Sequence, residues 1–180
     1  MPSGARRHVA ARMLGTTAVL AGCSLPGSAS GHGITLELPG GHDISESTSR
    51  AETGVAYSYG SMIVCLAAPG SVILDQVQLE KADSIAVRDF RVRPNPYRTV
   101  RGTGLDSDQT TLEAAGFTSP RHTVDEACNG SGAGYELGIQ VVASDLPASS
   151  NAFLVHYRSG GRSRVLRIPR AIQLEAGPGG

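Results

Sequence analysis

Apolar residues in this chain recur mainly at every second position. Tyr135, Leu137, Ile139 and Val141 alternate with Glu136, Gly138 and Gln140, the clearest such run. A two-residue period is what a strand with one buried face requires. Ile34 to Leu38 alternates the same way until Pro39-Gly40-Gly41 ends it. Between Gly54 and Leu66, Met62, Val64 and Leu66 point one way and Ile63 and Cys65 the other. Apolar residues on both faces predict a central strand. In Val72–Leu79, Ile73, Val77 and Leu79 alternate against Gln76, Gln78 and Glu80. Ile85 and Val87 set one phase, and Phe90 and Val92 set the opposite one. That one-residue slip at Arg88-Asp89 predicts a β-bulge.

The C-terminal part reads as a hairpin. Phe153, Val155 and Tyr157 share one face, and Leu154, His156 and Arg158 the other. Ser159-Gly160-Gly161-Arg162 supplies a turn whose glycines accept positive φ. The return strand runs from Ser163 to Ile168, and Pro169 marks it as an edge or a bulge. Ile172 and Leu174 extend the pattern.

Elsewhere the period fails. Residues 42–53 and Tyr97 to Asp108 read as loops, as does Ser119 to Gly134, which carries Cys128. Thr111 to Thr118 reads as a strand, with a helix over Ser107 to Ala115 as the alternative that Gly116 would end. About 7–9 short strands with regular turns predict an all-β domain, a single antiparallel β-sandwich. It is immunoglobulin-like in architecture only. There is no Trp, and no Tyr sits two residues before Cys128.

The first residues are of another kind. Arg6, Arg7 and Arg12 precede a short apolar run, Met13 to Ala21. That is the layout of a secretory signal, and the run is too short to span a bilayer. It closes on Leu20-Ala21-Gly22-Cys23, which resembles the lipobox of bacterial lipoproteins. The resemblance implies a diacylglyceryl thioether on Cys23 and cleavage before it. The chain would then sit lipid-anchored on the extracytoplasmic face of a cell membrane. Cleavage within Gly27-Ser28-Ala29-Ser30 of an unlipidated protein is the alternative, and Arg6-Arg7 leaves twin-arginine export open. The expected organisation is a signal peptide over 1–22, lipidated Cys23 and a Ser/Gly-rich tether to residue 33, a β domain over 34–175, and a disordered tail over 176–180.

With Cys23 committed to lipid, two cysteines remain. Outside the cytoplasm Cys65 and Cys128 are expected to pair, two buried free thiols being the alternative. Removing the three signal arginines leaves 13 basic residues against 16 acidic ones. A net acidic chain carries no nucleic-acid signature.

The candidate chemistry is thin. The histidines His32, His42, His122 and His156 are scattered and Met62 is the one methionine after the signal, so no cofactor or metal site is expected. A copper carrier using His32 and His42-Asp43 is an alternative. No Gly-x-Ser-x-Gly occurs, and Ser131 lies in a glycine-rich loop followed by a strand where a phosphate loop needs a helix. No catalytic residues are assigned; a small secreted hydrolase is the other alternative. What stands out is arginine. Arg88, Arg91, Arg93, Arg98 and Arg101 fill one stretch, and Arg158, Arg162, Arg164, Arg167 and Arg170 another. Were these stretches adjacent, they would form a basic face, with Arg158, Arg162, Arg164 and Arg167 binding an anionic envelope polymer or a protein partner. Arginines that merely guard solvated strand edges are the competing explanation. The expectation is a non-enzymatic binding or accessory module of the cell envelope.

Overall fold

The computed structural model describes residues 33–41, 43–95, 111–118, 122–130 and 134–177. Cys23, the signal, the tether up to residue 32, His32, His42, Arg98, Arg101, Ser131 and residues 178–180 lie outside them.

The fold is all-β. Its strands are β1 (Leu36–Glu37), β2 (Ile44–Ala51), β3 (Ala56–Leu66), β4 (Val72–Glu80), β5 (Ile85–Pro94), β6 (Thr123–Val124), β7 (Tyr135–Ala143), β8 (Ala148–Ser150), β9 (Ala152–Ser159), β10 (Arg162–Ile168) and β11 (Arg170–Ala176). Eight of them have seven or more residues. Two four-stranded sheets, ordered β1-β3-β7-β5 and β10-β9-β4-β6, share one core. Tyr57, Tyr59, Met62, Val64 and Leu66 from β3 and Leu137, Ile139 and Val141 from β7 meet Leu74, Val77, Phe153, Val155 and Tyr157 from the facing sheet. Tyr59 and Phe153 touch across it, ring centroids 6.4 Å apart.

A third sheet, β2-β11-β8, grows out of the C-terminal hairpin. β8 and β9 are separated by Asn151, and β10 and β11 by Pro169. Both arms of one long hairpin therefore break at the same level and continue into another sheet. Pro169 cannot donate to a ladder, which suits it to this corner. Ala176, expected in a disordered tail, is the last residue of β11.

The bulge at Arg88 is present, as a register shift between Val87 and Asp89. β3 is central, flanked by β1 and β7. Cys65 and Cys128 are disulfide-bonded, tying β3 to the segment after β6.

The all-β sandwich is as expected, its sheets antiparallel except that β2 runs parallel to β11. Four other expectations need correction. Residues 44–51, expected as loop, form β2. Its inward positions are Glu46 and Thr48, so no apolar period betrays it. Ile73 does not share a face with Val77. A second bulge at Asp75 reverses the phase, leaving Leu74 and Val77 buried and Ile73 45% exposed. Thr111 to Thr118 is a single helical turn with no strand pairing, nearer to the alternative. Ala115 N–H bonds Thr111 O, the Thr111 hydroxyl accepts from Ala114 N–H, and Gly116 at φ 91° ends the turn. The expected loop over 119–134 also contains β6.

Candidate functional site

The β9–β10 hairpin turns on Gly160 and Gly161, at φ 55° and 77°. This is the two-residue turn whose twist matches the flanking strands. It pairs Ser159 with Arg162, Arg158 with Ser163, Tyr157 with Arg164 and Leu154 with Arg167. Tyr157, Val155 and Phe153 point into the core, so Arg162, Arg164 and Leu166 lie on the inner side of the sheet. Arg158 and Arg167 lie on the outer side.

The four arginines expected to form one face are thus divided between two. The outer pair is neutralised. Arg158 Nε binds Asp75 at 2.8 Å, and Arg167 Nη2 binds Glu80 at 2.7 Å. The Arg167 guanidinium holds the Glu80 carboxyl below the usual carboxylate range by hydrogen bonding to its charged form. His156 and Gln78 meet at 3.0 Å between these pairs. This outer face is a ladder of balanced cross-strand contacts, each of small energetic weight at the surface.

The described parts of the two arginine-rich stretches are not adjacent either. β5 is the edge of one sheet and β10 the edge of the other. Beside β5, the His122 ring stacks on Phe90 at 4.5 Å and its Nε2 contacts Phe90 O. Beside β10 lies β1, where Leu36 N–H donates to the Tyr157 hydroxyl.

Arg91 and Arg93 of β5 have structural work. Arg91 donates to Phe117 O at 2.9 Å, and Arg93 Nη1 to Ala115 O at 2.5 Å. Arg93 also stacks on the Phe117 ring and pairs with Glu136. Together they fasten the Thr111–Thr118 turn over the outer face of β7. There Phe117 and Leu112 fill the space above Gly138, where a Cβ would meet them at 2.8 and 2.9 Å. Arg170 is buried and pairs with Glu46 and Gly60 O.

Among the described arginines of the C-terminal hairpin, Arg162 and Arg164 alone are left without a carboxylate. Two residues beyond Arg164, on the same side of the strand, Leu166 borders an open groove of about 510 Å3 between β1 and β10. Leu36, Leu38, Leu166 and Pro169 line it, and Glu37 and Arg167 also border it. An edge strand, two unbalanced guanidinium groups and an apolar trough can accept an extended anionic chain.

No family model matches this chain, and no curated protein matches it. The site rests on its geometry.

Among the described residues no three His, Cys, Asp or Glu side chains converge as metal ligands would. Sequence reasoning missed Glu136, which is completely buried, and the turn that covers it. It also missed Tyr59, whose phenol faces Thr48, Glu46 and Arg170 and is pushed up to about 12 by burial. No local signal marks either residue. The split of the hairpin arginines was available, since strand parity alone separates Arg164 from Arg167.

Proposed function

We propose that this chain is a lipid-anchored cell-envelope protein that binds an anionic partner and catalyses no reaction. Leu20-Ala21-Gly22-Cys23 supports the anchoring. The observation that carries the binding is the β10 edge, where Arg162 and Arg164 stand without carboxylate partners on the same side of the strand as Leu166, which borders the groove. The site is narrower than a basic face and is confined to one edge.

Two measurements test the reading. Mass spectrometry of the membrane fraction should find a diacylglyceryl group on Cys23; an unmodified thiol there overturns the anchoring. The detergent-solubilised protein should bind a purified anionic wall polymer or an acidic peptide, more weakly as salt rises. Binding of both probes left unchanged by the Arg162→Ser/Arg164→Ser double substitution overturns the assigned site.

A further inference from the structure

We propose that β10 is the docking edge for an extended acidic segment of a partner protein, which adds to the sheet as one more strand. This rests on the binding reading above and specifies the class of partner.

The main chain sets the first condition. A two-residue hairpin loop makes the residues flanking it a hydrogen-bonded pair, and such pairs recur at every second position. From the observed pairing of Ser159 with Arg162, the residues turning N–H and C=O toward β9 are Arg162, Arg164, Leu166 and Ile168. Ser163, Val165 and Arg167 turn theirs outward, away from the sheet. Among the described residues no strand pairs with β10 on that side, and Val165 at its middle is 52% exposed. No proline interrupts Arg162–Ile168. An added strand would find three consecutive outward-facing positions.

The side chains set the second condition. Arg162, Arg164 and Leu166 share the inner side, and Leu166 borders the groove that Leu36, Glu37, Leu38 and Pro169 also line. Residues opposite one another on adjacent strands have their Cβ atoms roughly 5 Å apart. A partner strand therefore places acids opposite Arg162 and Arg164, and an apolar side chain opposite Leu166 and into the trough. Acid, acid and apolar residue fall at alternate positions. The intervening residues meet Ser163 and Val165 on the outer side, where small or β-branched residues fit.

Charge selects between occupants. β10 contains three arginines and no acid. Pairing two copies of β10 would bring two such sets together, which like-charge repulsion opposes. The same arginines favour an acidic strand.

The probe is the synthetic heptapeptide Leu-Thr-Glu-Thr-Glu-Thr-Leu, fluorescently labelled and offering the same pattern in either direction. It is titrated onto the full-length protein, with inorganic polyphosphate as the non-peptide anion. Val165→Pro removes an outward N–H without touching the β9 ladder. A peptide N-methylated at alternate residues removes the partner's donors with the protein unchanged. The expected result is binding that weakens about tenfold or more with Arg162→Ser/Arg164→Ser, with Val165→Pro and with N-methylation on one edge. If Val165→Pro misfolds, the N-methylated peptides decide. Binding lost with the arginines but indifferent to Val165→Pro and N-methylation overturns strand addition, while polyphosphate binding would keep the anionic-partner reading. A dimer that Val165→Pro dissolves overturns the proposal in favour of self-pairing. Binding of neither probe overturns both readings.

Discussion

At the scale of single residues, burial decides which charges matter. The Glu136 carboxylate is fully buried, accepting from Ser61 N–H at 3.1 Å, Arg93 Nε at 2.8 Å and Arg93 Nη2 at 2.6 Å. Removing one member of a buried pair leaves an uncompensated charge, at a cost of about 3–5 kcal/mol. Arg93→Met should lose that much in denaturant unfolding, and Arg93→Met/Glu136→Leu should recover much of it. A loss below about 1 kcal/mol for the single variant would show the pair to be dispensable. Tyr59 gives a prediction in pH. Its phenol ionises at about 12 in the folded protein against an ordinary 10.0. The unfolded chain loses that proton first. The associated stability is therefore complete below pH 10 and is lost as pH rises toward 12. Alkaline titration of tyrosinate absorbance should show one phenol lagging, and Tyr59→Phe should abolish that lag. Neither residue was legible in the sequence. Glu136 occupies the polar phase of a clean alternation, and that pattern assigns it to solvent.

Among the elements, the Thr111–Thr118 turn changes the character of β7. The alternation in Tyr135–Val141 predicts one wet face, yet both are buried. Phe117 and Leu112 lie over Gly138, and Arg91 and Arg93 hold the turn's carbonyls. Gly138→Val would drive a side chain into contacts already at 2.8–2.9 Å. It should dislodge the turn, so that limited proteolysis cleaves near Thr111–Thr118 while the two sheets persist. Full protection in that variant would mean the turn is held by other contacts. By contrast, the Arg88 bulge and the Gly160-Gly161 turn were both readable. A bulge reverses the apolar phase within four residues, and a turn is specified by the glycines that adopt positive φ.

At the scale of the whole molecule, the Cys65–Cys128 bridge closes a loop with a sequence separation of 63. In the loop-entropy account such a link stabilises by about 4 kcal/mol. Cys65→Ser/Cys128→Ser should lower unfolding stability by about that amount, and reductant should lower the wild type while leaving the variant unchanged. A variant as stable as the wild type would show that the sheets alone fix the segment after β6. The third sheet lies beyond sequence reading for a related reason. β2 pairs with β11, more than a hundred residues later, through its backbone and a buried Glu46–Arg170 contact.

The sequence by itself determined the all-β class, most strand faces, one bulge, the hairpin turn and, on the expectation of a lipid at Cys23, the pairing of the two other cysteines. These are local matters, written in parity, turn chemistry and counting. Tertiary structure alone decided which polar faces are covered, which arginines are neutralised and which strand edge stays open. Each depends on residues far apart in the chain meeting in space. The hydropathy of a strand records the chemistry of its two faces and is silent on what arrives to cover them.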